Sequence, residues 1–180
     1  MTKVISHYPT NTELCSCCLD ILFQLNLSSS SRKLLLQANC LPLLITITNT
    51  CQKEATIIEQ AMKVINSICS AEGFFFFFLF LLDESIEQVL QSNTVSCIVM
   101  CLMSHPMNIP ICSHGSRALT WIIKTGGANV SKLFIDEGVF DLCIDIIQNH
   151  NDTELLNSVS SLIIKMIRSS SMLFILLFIQ

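Results

Sequence analysis

ALTWIIKT, residues Ala118–Thr125, decides the fold, because the chain carries variants of it at three other places. CLDILFQL (Cys18–Leu25), AMKVINSI (Ala61–Ile68) and VSSLIIKM (Val159–Met166) share its apolar spacing. Aliphatic side chains recur in each at three- and four-residue intervals, which places them on one face of a helix. The first residues of the four segments lie 43, 57 and 41 apart. The middle interval contains Phe74–Leu82, which reads FFFFFLFLL; without those nine residues it is 48. A period of 41 to 48 residues marks a chain of helical repeats.

A second marker recurs independently. A turn followed by a compact apolar helix reads ANCLPLLITI (Ala38–Ile47), SNTVSCIVMCL (Ser92–Leu102) and DEGVFDLCIDII (Asp136–Ile147). With Leu41, Val95 and Val139 aligned, the spacings are 54 and 44, or 45 and 44 without the Phe-rich run.

From Met103 to Ile167, SHPMN, GSRALTWII, ANVSKLFIDEGVFDLCIDIIQNHND and SVSSLIIKMI follow one another in an order that resembles the armadillo-repeat family. In that family a short first helix ends at a glycine, a second follows at once, and a third carries an A-x-x-A-L-x-N-L-like pattern. Gly138 stands at the glycine position, where positive φ turns one helix into the next. Asn39, and Asn93 or Thr94, stand there in the other units; Asn tolerates the left-handed conformation. The family's Asn near the end of the third helix is not clearly present, and Gln24, Ser67 or Asn66, Trp121 and Lys124 stand nearest to it. The resemblance spans residues 10 to 168. It implies an all-α fold, a right-handed α-solenoid of three to four armadillo-like repeats.

On this reading Thr10–Asn26 is the last helix of an incomplete unit, and full units cover Ser30–Ser70, Asp83–Thr125 and Asn129–Arg168. Ser28–Ser31, Gly126–Gly127 and Asn149–Asp152 are the connecting turns. Residues 1–168 form the repeat domain, with 74–82 as a low-complexity insertion and 169–180 as an apolar tail. The half unit at the start reads as a piece of a longer array. Eight of the eleven Phe lie in Phe74–Leu82 and Met172–Ile179, so these runs are foreign to the rest of the chain. Both are too short to span a membrane, which needs about 20 apolar residues. Each reads as translated pyrimidine-rich non-coding sequence, the first as a retained insertion and the second as a read-through end.

With 51% apolar and 13% charged residues, the chain has ample side chain to bury, which excludes disorder as its main state. A net charge of −4 leaves no electrostatic footprint for nucleic acid or an anionic membrane. The N-terminal MTKVISHYPTNTE lacks the apolar core of a secretory signal. The ten Cys therefore read as reduced, small core residues of a cytoplasmic or also nuclear protein. The sequons at Asn26, Asn129 and Asn151 carry no meaning without a secretory route.

Chemistry has few candidates. Cys15-x-x-Cys18 has no second ligand pair, so a metal or redox site gives way to core packing. Cys97 and Cys101 are helical neighbours four residues apart. His105, Cys112 and His114 fall in SHPMNIPICSHG, read as a loop broken by Pro106 and Pro110. A Cys–His nucleophile pair is the sharper reading there, and a simple link between helices the plainer one. Asp136, Glu137, Asp141 and Asp145 offer paired carboxylates, or a solvated helix face. No phosphate-binding or nucleophile-elbow motif occurs.

These features indicate no enzyme and no cofactor or metal. The resemblance implies a protein–protein interaction scaffold holding a protein or extended peptide on its concave face, without nucleic acid and without a membrane span. Gln24, Lys63, Ser67, Trp121 and Lys124 are the candidate groove residues, with packing between helices as the other role for Trp121. The alternatives are a regulatory repeat fragment of a larger multi-domain protein such as a kinase, a nuclear-transport adaptor, or a membrane-associated helical protein.

Overall fold

A computed structural model describes residues 10–70 and 82–169; the Phe-rich residues 74–81 and the tail 170–180 lie outside them. The described residues form nine helices and no strand: α1 (Thr12–Leu25), α2 (Ser29–Gln37), α3 (Cys40–Thr50), α4 (Ala55–Cys69), α5 (Leu82–Gln91), α6 (Thr94–Ser104), α7 (Ile109–Asp136), α8 (Val139–Asn149) and α9 (Thr153–Ser169). The fold is all-α.

Three residues set the connections. Asn39, Asn93 and Gly138 have φ of 53°, 55° and 68°, and Thr94 is already helical. Each ends one helix and starts the next. The Asn39 and Gly138 amides donate back to the carbonyls of Leu36 and Ile135, closing α2 and α7. The Asn93 and Gly138 carbonyls accept the first bonds of α6 and α8, from Cys97 and Leu142. The three positions are 54 and 45 apart, so Phe140, not Val139, is the counterpart of Leu41 and Val95.

The long helices share a different start. Asn11, Asn108 and Asp152 each accept, through Oδ1, the amide three residues on, at 2.9, 3.0 and 2.8 Å. Such a cap contributes about 1 kcal/mol. Glu54 occupies this place ahead of α4 without a side-chain cap bond. These four N-caps lie 43, 54 and 44 residues apart. Without the Phe-rich run the middle interval is 45, so the period is tighter than the segment alignment indicates. Counted from the caps, the partner of Cys18, Ala61 and Val159 is Gly115, three residues before Ala118. A Cβ on Gly115 would lie 2.7 Å from Leu102 Cδ2, so the absence of a side chain there lets Leu102 of α6 seat on α7.

Gly126–Gly127 divides α7: Gly127 (φ 53°, ψ −133°) kinks the chain between two helical stretches. One further expectation is corrected. Pro110 does not break a helix but begins one, in the first turn of α7, where a missing amide costs nothing. Only His105–Asn108 lies outside helix there, so Cys112 and His114 are helical.

α1 packs on α4, α4 on α7 and α7 on α9, while α3 packs on α6 and α6 on α8. Each of α3, α6 and α8 also packs on the long helix that follows it. α4, held by α1, α3 and α7, therefore buries Ile57, Ile58, Ala61, Met62, Val64, Ile65 and Ile68. Full burial of such a side chain stabilises by about 1.5–3 kcal/mol. The ends of α6 and α8 are tied sideways. His105 Nε2 donates to the Gln52 carbonyl at 2.8 Å, and His150 Nε2 to the Pro106 carbonyl at 2.6 Å. A carbonyl only accepts, so Nε2 carries the proton in both. Cys51 ends α3 at the matching place, and its thiol is hydrogen-bonded to that of Cys15 of α1 instead.

If Glu54 is a cap position equivalent to Asn11, Asn108 and Asp152, Glu54→Asn supplies the missing bond. The urea midpoint should rise, by about 0.5–1 kcal/mol in stability. An unchanged or lower midpoint contradicts the shared register.

Candidate functional site

Counted from their N-caps, α1, α4, α7 and α9 place Gln24, Ser67, Trp121 and Lys165 at one position, the thirteenth. The ninth holds Asp20, Lys63, Arg117 and Ser161. Of the candidate groove residues, Gln24, Ser67 and Trp121 thus fall on one row, with Lys63 and Lys124 one turn to either side. Gln24, Lys63 and Lys124 are exposed, and Ser67 and Trp121 are half-buried. Lys165 belongs to the row and escaped the sequence reading. The cap at Asp152 was the signal that could have found it.

The face they share is stitched between helices. Gln60 Nε2 reaches Asp20 at 3.4 Å, and the Lys63 ammonium stands 4.2 Å over the Phe23 ring. Both contacts join α4 to α1 in rising order, so these helices run parallel. Asn66 Nδ2 meets His114 Nδ1 at 3.5 Å, and Arg117 Nε donates to Ser158 at 3.3 Å. Arg117 also forms an ion pair with Glu154. In every pair a later residue of one helix meets an earlier one of the next. Lys124 lies 4.2 Å over the ring of Trp121, a cation–π contact worth about 0.5–1 kcal/mol at an exposed site. Gln60 Oε1 and Asn66 Oδ1 are buried on this seam without a hydrogen-bond partner.

The nucleophile candidates are not brought together. The buried Cys112 thiol donates to the Pro106 carbonyl at 3.4 Å, and burial pushes it up to about 11. An activated thiol is shifted the other way. His114, two residues on, points to another face and to Asn66. Cys15 and Cys18 are buried; burial raises both thiols, Cys15 to about 11. The Cys97 and Cys101 thiols do hydrogen-bond to each other, which lowers the pKa of Cys97 and raises that of Cys101. In the acidic group, Glu137 accepts from Ser96 at 2.5 Å, tying α6 to the start of α8, while Asp141 and Asp145 are exposed. A shallow open hollow at the ends of α3 and α6 is lined by Thr48, Gln52, Met100 and His105, but His105 Nε2 is already engaged with the Gln52 carbonyl. Among the described residues no three His, Cys, Asp or Glu are placed to hold a metal ion, and no helix is long and apolar enough to cross a membrane. Scans against protein-family models, curated proteins and solved structures each find no match.

His114 is held below its usual 6.5, first by burial, then by Arg117 and Lys63, against a smaller opposite pull from Glu154. The folded chain therefore binds this proton less readily than the unfolded one. Its contribution is complete above 6.5 and is lost as pH falls through the lowered value. Between about pH 7 and about pH 5 the urea midpoint of the wild type should fall more than that of His114→Gln. Parallel pH dependences would contradict the placement of His114 among cations.

Proposed function

We propose that this chain is a non-catalytic protein–protein interaction scaffold: a right-handed, armadillo-like α-solenoid whose concave face, formed by α1, α4, α7 and α9, holds an extended protein segment. The observation that carries it is the row Gln24, Ser67, Trp121 and Lys165, one position repeated on four successively packed helices. Stacked repeats of this kind present a long surface and no enclosed pocket. The half-buried Trp121 supplies a rigid apolar anchor of the kind enriched where binding energy concentrates. Gln60 Oε1 and Asn66 Oδ1, buried without donors, add acceptors on the same seam.

Capture of binding proteins from cells with the wild type, Trp121→Ala, Ser67→Arg and Gln148→Arg tests this reading. Gln148 is exposed on α8, away from the row. Partners should be retained by Gln148→Arg and lost roughly tenfold or more with Trp121→Ala and Ser67→Arg, at unchanged helical circular dichroism. Partners lost only with Gln148→Arg would place binding elsewhere.

A further inference from the structure

Resting on that reading, we propose that the segment bound across α4, α7 and α9 is acidic: an extended polypeptide whose Asp and Glu side chains meet Lys63, Lys124, Lys165 and Arg168. Charge is sorted within this layer. Short of the kink at Gly127 in α7, its carboxylates, Glu13, Asp20, Glu59 and Glu154, all lie at or before the ninth position after the cap. Beyond that position the same stretches hold Lys124, Lys165 and Arg168 and no Asp or Glu, with Lys63 and Arg117 at the border; Lys132 and Asp136 lie past the kink. The α3, α6 and α8 layer has no Lys or Arg at all and exposes Asp141 and Asp145. In a chain of net charge −4, half of the ten cationic side chains are thus on one face. The helix dipole accounts for Arg168, in the last turn of α9, but not for Lys63 in the middle of α4.

The lysines are also uncommitted. Lys63 and Lys124 rest on the rings of Phe23 and Trp121, which orient an ammonium without neutralising it. Only Arg117, among the described residues, has a carboxylate partner. A carboxylate arriving at this stripe finds directed positive charge, whereas at α8 it meets Asp141 and Asp145, which steers it away. The stripe crosses two helix-to-helix steps of about 8–10 Å each. An extended chain at about 3.3 Å per residue covers that with roughly five or six residues. The Trp121 face is covered by Lys124, which disfavours stacking of a nucleic-acid base there.

Trp121 is the only Trp, so the stripe carries its own reporter. Unlabelled peptides of about twelve residues, one alternating Glu with Ser and one alternating Lys with Ser, are titrated into the full chain, followed by Trp121 emission and, with fluorescein-labelled copies, by anisotropy. The acidic peptide should bind, change Trp121 emission as Lys124 leaves the ring, and weaken on raising salt. Binding should fall at least roughly tenfold in Lys63→Gln/Lys124→Gln and again in the Glu versions, and be unmoved by Lys132→Glu. The Gln pair guards against a charge reversal that unfolds the chain. If the basic peptide binds and moves Trp121 while the acidic one does not, the acidic class is wrong and the groove stands. If neither peptide moves Trp121, the groove falls with it. A single-stranded oligonucleotide that displaces the acidic peptide at equal charge overturns the choice of a polypeptide.

Discussion

One residue per unit in the left-handed conformation holds this architecture together. Asn39, Asn93 and Gly138 reverse the chain without a loop: at Gly138 the amide donates back into the helix it closes and the carbonyl accepts the first bond of the next. With no slack between them, the direction of the second helix follows from the first. α3, α6 and α8 must then lie against each other, and the long helices behind them must do the same. A β-branched residue at such a position would need to pay roughly 1–2 kcal/mol or more in strain. Gly138 has none of that strain, and the two Asn have little of it.

Everything lateral follows from that repeated geometry. The His105 and His150 bonds run between successive loops, Gly115 lets Leu102 settle on α7, and the long-helix contacts share one sense of offset. Because the offset repeats, positions equivalent in sequence become neighbours in a row.

Much of this was legible in the residues. The helical class followed from aliphatic spacing, and Gly138 with Asn39 marked the reversals because few residue types accept positive φ. The register did not follow so readily. ALTWIIKT matches AMKVINSI in apolar pattern, but aliphatic stripes match nearly as well one turn out of step, and Ala118 was paired with Ala61 where Gly115 belongs. The caps Asn11, Asn108 and Asp152 resolve the ambiguity, since only one frame places an acceptor three residues ahead of a free amide. Lys165 was missed through the same slip. Pro110 was misread because a proline that opens a helix and one that ends it look alike without the Asn108 cap beside it.

The central claim is that the units stack in sequence, each leaning only on its neighbours. Hydrogen exchange followed by mass spectrometry on the full chain, wild type against Gly138→Val, addresses it directly. The substitution strains the reversal between α7 and α8, where a Cβ meets no neighbouring atom, so the damage begins as a purely local one. Exchange should accelerate in α8 and α9 and remain at wild-type rates in α1 and α4. Equal acceleration from α1 to α9 would show a single cooperative core, and the repeat account would fail.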